Sequence, residues 1–140
     1  PRNYTNYKKG NFLVAIAGVS TNLILSFVFY LIYFLLMVFG VRSTIVLTIF
    51  RNIVYINIIL CFFNLIPIPP LDGHHLIKGF LARRFQKFYF WYMKYGYYVL
   101  LALIFIPRFL TFVPNILFLY LGTMANIVLN AYTWFFGFFI

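Results

Sequence analysis

The chain has 140 residues, of which 65% are hydrophobic, 24% aromatic and only 9% charged, with a mean hydropathy of +0.98. A soluble domain carries about 25% charged residues, and no soluble fold of this size hides so much apolar surface, so lipid must cover part of it. Eleven Lys and Arg face a single carboxylate, Asp72, for a net charge of +10; because the bases flank apolar runs, the charge reads as membrane topology and anionic headgroups and argues against nucleic acid.

The length fits one membrane domain over residues 1–140, all-α and polytopic, with three to four transmembrane helices plus an interfacial amphipathic helix. The chain begins at Pro1 and its first ten residues are polar and tyrosine-rich, unlike a signal peptide. The first apolar segment is expected over residues 12–39. Ala15, Ala17, Gly18, Ser20 and Thr21 form a small-residue patch in it, of the kind that lets helix backbones approach closely in lipid. The second segment, 45–66, carries Arg51, Asn52 and Asn57 in its first half and stops at Pro67-Ile68-Pro69-Pro70, which cannot continue a helix.

Residues 76–96 alternate differently. Ile77, Phe80, Leu81, Phe85, Phe88 and Tyr92 recur near helical spacing, with Lys78, Arg83, Lys87 and Lys94 mostly off that face and Arg84 on it, which predicts an amphipathic interfacial helix running into the next span. A third apolar segment, 97–106, stops at Pro107-Arg108. A fourth, 110–140, contains Pro114, Gly122 and Asn126 and predicts a kinked helix or two shorter pieces. Asn22, Asn57 and Asn126 are expected to hydrogen-bond between helices. The single Cys61 sits in an apolar run and forms no internal disulfide.

The basic residues set an orientation. Arg2, Lys8 and Lys9 precede the first span, and Lys78, Arg83, Arg84, Lys87 and Lys94 follow the second, so these eight share a side; Arg42, Arg51 and Arg108 are expected on the other. The positive-inside rule then places the N-terminal region and residues 67–96 in the cytoplasm or its organellar equivalent. The expected location is an integral protein of a bacterial cytoplasmic membrane or an organellar inner membrane.

As the one carboxylate, Asp72 is the only acidic metal ligand or acidic base the chain can offer. A plainer reading is available: Asp before Gly73-His74-His75 is a favoured helix N-cap. The run from Asn64 through Pro67, Pro69 and Pro70 to Leu71-Asp72-Gly73 resembles the second signature of the site-2 proteases. The stretch Ala17-Gly18-Val19-Ser20-Thr21-Asn22 resembles that family's Ala-Gly-Pro-x-x-Asn element, with Val19 in place of the proline. Pro1-Arg2-Asn3-Tyr4 and residues 11–17 resemble the segment that enters this element in compact bacterial members.

The resemblance implies roles at matching positions. Asp72 would be the third protein ligand of a catalytic Zn²⁺, Asn64 a catalytic residue orienting the scissile carbonyl or stabilising the oxyanion, and the prolines a rigid frame for Asp72. Zinc hydrolases do use three N/O ligands and a water. The family's His-Glu-x-x-His is absent: the chain has no Glu, and its two His, His74 and His75, are adjacent, about 100° apart on a helix rather than on one face. They are expected at the headgroup interface and not on the metal.

The implied function is therefore part of an intramembrane zinc metalloendopeptidase that cleaves transmembrane segments. Its partners would be the lipid bilayer, a transmembrane protein substrate and an HExxH-bearing N-terminal segment or separate chain that shares the Zn²⁺. As this chain alone it would be inactive. The alternative, a non-catalytic pseudoprotease or structural subunit of a membrane complex, stays open on the sequence.

Overall fold

The computed structural model describes residues 2–140, with side chains from Lys9 onward; the readings attached to Pro1 lie outside the described residues. Five helices follow one another: α1 (Arg2–Val38), α2 (Thr44–Asn64), α3 (His74–Arg84), α4 (Gln86–Phe109) and α5 (Ile116–Gly137). No strand occurs among the described residues. The chain is a helical membrane protein, with α1 from Lys9, α2, α4 and α5 each long and apolar enough to cross a bilayer.

Helix α1 starts earlier than its apolar segment, taking in the polar residues before Phe12. At 37 residues it measures about 55 Å, well beyond a ~30 Å hydrocarbon core. It ends where Gly40 takes φ 79°, a left-handed turn that only glycine adopts without strain, and Val41 N–H closes back on the Leu36 carbonyl at 2.9 Å. Three residues after Gly40, Ser43 caps α2, its hydroxyl accepting from Val46 N–H. The pair forms a long antiparallel hairpin.

Helix α5 packs along this hairpin. Val54 and Ile58 of α2 meet Ala125, Tyr132 and Phe136, whereas Ile66, just past the end of α2, meets Leu117 and Leu121. As numbers rise along α2 they fall along α5, so the two are antiparallel and α5 runs parallel to α1. Buried Ser26 of α1 hydrogen-bonds Tyr132 at 2.6 Å, and Tyr30 reaches Thr133 at 3.2 Å. These hydroxyl pairs take the interhelical role expected of the asparagines. Asn57 instead donates to Ile53 of its own helix, and Asn22 and Asn126 make no side-chain hydrogen bond among the described residues.

The amphipathic segment does not form one helix. Phe85 adopts φ −135°, ψ 68° and splits it, so α3 ends at Arg84 and the remainder joins the third apolar segment as α4, with Pro107 tolerated in the last turn. The fourth segment is one continuous helix, capped by Asn115 after Pro114, and is not divided. Tyr92 and Gly96 of α4 meet Pro67 and Pro69, and Ile104 packs against the group of Ile66, Leu117 and Leu121. The middle of α4, from Tyr92 to Ile104, therefore packs against the Pro67 end of the α1–α2 hairpin and the start of α5.

The outward faces of these helices are apolar in mid-span. Ile24, Ile56 and Ile127 are 62%, 55% and 56% exposed, which is stable only against lipid.

Candidate functional site

The site is built on a broken stretch of backbone between α2 and α3. The N–H groups of Leu65 and Ile66 close back on Cys61 and Phe63, those of Ile68 and Leu71 on Ile66 and Ile68, and Gly73 N–H reaches across to the Asn64 carbonyl at 2.6 Å. The three prolines have no N–H to satisfy. Irregular backbone near apolar surroundings is thus provided for almost entirely from within, the condition under which it survives at membrane depth. The Pro69–Pro70 peptide is cis.

The Asn64–Gly73 hydrogen bond closes the loop and ties the end of α2 to the start of α3. It requires glycine at 73: a methyl group there would overlap the carbonyls of Leu65 and Ile66. Asp72 is thereby fixed one residue from a buried glycine.

The carboxylate of Asp72 does not cap α3. Gly73 occupies the N-cap position, and the cap has no side-chain hydrogen bond. Only the backbone carbonyl of Asp72 takes part there, accepting from His75 N–H at 3.1 Å. The carboxylate faces Gly18 of α1, where a β-carbon would stand 3.2 Å from Oδ2. The two motifs, 54 residues apart, therefore meet: the small-residue patch of α1 leaves the space into which Asp72 projects. A cavity of about 70 Å³ opens beside it, lined by Ala15, Val19, Ser20 and Leu65 with Asp72 and Gly73.

Asn64 ends α2 with its carbonyl committed to Gly73 and its side-chain amide free of any hydrogen bond among the described residues. The amide is therefore available as a donor. Loop closure couples the positions of Asn64 and Asp72.

The two histidines open α3. His74 is buried, 7% exposed, with Nδ1 against the Leu71 carbonyl at 2.5 Å. The His75 ring lies beside it, tilted, at 3.9 Å between ring centroids, and its buried Nδ1 has no partner among the described residues. Burial holds the His75 imidazole below its ordinary range, reinforced by His74 and Lys78 and opposed by Asp72.

No group of three His, Cys, Asp or Glu able to hold a metal exists among the described residues. A carboxylate with no ion pair or hydrogen bond at its oxygens among the described residues, beside a small cavity, suits one position of a hard divalent ion. The described residues supply that position and not a complete set.

Two contributors escaped the sequence reading. Tyr92 donates from its hydroxyl to the Pro67 carbonyl at 2.5 Å, and Gly96, one turn on, lies flat against the Pro69 ring. Their i, i+4 spacing and a glycine inside an apolar helix were the available signals.

Comparison with known proteins agrees with the geometry. The model of Peptidase family M50 matches residues 39–107, which include Asn64 and Asp72. Over 100 residues, 68% of the chain, it is 33% identical to "Putative zinc metalloprotease YwhC" of Bacillus subtilis, covering 46% of that protein. Over 77 residues, 54% of the chain, it is 39% identical to "Putative zinc metalloprotease Rip3" of Mycobacterium tuberculosis, covering 19% of that one. The chain thus spans less than half the length of these curated relatives. No solved structure matches.

Proposed function

Taking the match to peptidase family M50, the site-2 proteases, as the premise, we propose that this chain is part of an intramembrane zinc metalloendopeptidase that cleaves transmembrane segments of membrane proteins. Asp72 contributes one metal ligand. The remaining ligands and the general base come from an HExxH-bearing segment outside these residues. A bound zinc supplies Lewis-acid polarisation and an activated water.

The observation that carries the reading is the state of Asp72. The only carboxylate in the chain caps no helix and faces Gly18 across a small cavity. A carboxylate left so in an apolar protein is costly unless a cation meets it. Asn64 supplies an amide donor to the scissile carbonyl, the role in which a single preorganised donor is worth about 10²–10³ in rate. The loop Leu65–Gly73 holds both groups in register. Small residues at Ala15, Gly18 and Ser20 leave room beside the carboxylate. A helical substrate has to unwind locally there, because its backbone is otherwise internally hydrogen-bonded.

The test is cleavage of a membrane substrate by the full-length protein. Asp72→Asn should insert and fold normally yet be inactive, because the amide keeps the size and loses the charge a divalent metal prefers. Asn64→Ala should lower kcat by about 10²-fold with bound zinc unchanged. An active Asp72→Asn protein with normal zinc would move the assignment to a non-catalytic membrane subunit.

A further inference from the structure

The loop that carries Asp72 is held from two sides, and only one of them belongs to the motifs described above. On the α1 side it meets Gly18. On the other side it meets α4. Tyr92 is buried, 7% exposed, and its hydroxyl donates to the Pro67 carbonyl. Gly96 is also buried, and a β-carbon there would stand 2.6 Å from Cδ and 3.0 Å from Cγ of Pro69. The two residues are one helical turn apart, so a single face of α4 offers a hydrogen-bond donor and then a flat, side-chain-free surface to successive prolines.

Each contact answers a local need. Pro67, Pro69 and Pro70 have no N–H to donate, so the internal bonds of the loop come from the residues between and around them. The Pro67 carbonyl, with no helix to receive it, gains a donor in Tyr92. The proline ring at 69 needs a neighbour without a side chain, and Gly96 is that neighbour. A rigid loop pressed between α1 and α4 has little freedom to move Asp72.

We propose that Tyr92 and Gly96 are positioning residues for the Asp72 ligand: α4 sets the affinity of the metal centre by clamping the proline loop, without touching metal or substrate. The inference rests on the reading of Asp72 as a zinc ligand. Partners that orient a metal ligand typically change affinity by about 10–100-fold when removed.

The experiment measures Zn²⁺ affinity of the full-length protein in detergent, by competition with a chromophoric chelator, for wild type, Asp72→Ala, Tyr92→Phe, Gly96→Ala and the double variant Asp72→Ala/Tyr92→Phe, with thermal unfolding followed in parallel. Tyr92→Phe keeps the ring and removes only the donor; Gly96→Ala keeps the donor and displaces the loop, so either one tests the clamp if the other fails to fold. Both should weaken zinc by about tenfold or more while remaining folded. In the Asp72→Ala background, Tyr92→Phe should cost nothing further, because its effect passes through the missing ligand.

An equal loss in both backgrounds would make Tyr92 merely structural and overturn the proposal. So would normal zinc affinity in Tyr92→Phe and Gly96→Ala alongside a weakened Asp72→Ala, and that result would leave the protease reading standing. Unchanged affinity in Asp72→Ala itself would remove the reading on which the proposal rests.

Discussion

At the scale of single residues, glycines decide where Asp72 points. Gly73 has no room for a β-carbon because the Leu65 and Ile66 carbonyls close over it. Gly73→Ala must therefore break the Asn64–Gly73 hydrogen bond or displace the loop. Zinc binding and proteolysis should fall together, with a loss of stability of about 1–3 kcal/mol from the overpacking. Normal zinc content in a folded Gly73→Ala protein would show that the loop closure is not needed to place Asp72. Gly18 is tighter than ordinary van der Waals contact but not closed, so Gly18→Ala should be milder than a larger side chain there.

His75 provides a second residue-scale prediction. Burial favours its neutral form, so its pKa lies lower in the fold than in the unfolded chain. The unfolded state then binds more protons as pH falls below about 6.5. Stability from this group is complete above that value and is lost as pH drops through the folded pKa. His75→Gln should flatten the pH dependence of thermal unfolding below pH ~6.5; an unaltered slope would place the titration elsewhere.

Among the elements, hydrophobic periodicity and proline positions located α1 and α2 to within a few residues in their apolar parts, and α5 only as one helix inside the wider run 110–140. They did not locate the break at Phe85, because Phe85 fits the amphipathic pattern and no glycine or proline marks the spot. Nor does an apolar run carry a direction. Helix α4 meets the Pro67 end of the hairpin along its middle, and α5 runs parallel to α1. That follows from packing of Leu117 and Leu121 on Ile66, a contact no local pattern announces.

The consequence for topology is testable. Cysteines introduced near Lys9 and Arg84 in a Cys61→Ala background should label from one side, the cytoplasmic one by its eight bases. A cysteine near Ile140 should label from the other. Labelling of Ile140 from the same side as Lys9 would contradict the direction of α5.

For the molecule as a whole, the architecture and the Asp72 motif were legible because composition, proline spacing and the Leu-Asp-Gly run are local. The meeting of Gly18 with Asp72 was not legible, since nothing in either stretch alone specifies the other. The clamp from Tyr92 and Gly96 and the burial of His74 were not legible, because both depend on how α4 and α3 fold back on the loop.

The central claim is that Asp72 is a metal ligand and the neighbouring histidines are not. The measurement that meets it most directly is zinc bound per molecule of purified full-length protein, compared between Asp72→Ala and the double variant His74→Ala/His75→Ala. The account predicts that Asp72→Ala loses most of its zinc while its helices still insert, and that the double histidine variant keeps wild-type stoichiometry. Full zinc in Asp72→Ala, or loss of zinc from a folded histidine double variant, would contradict it.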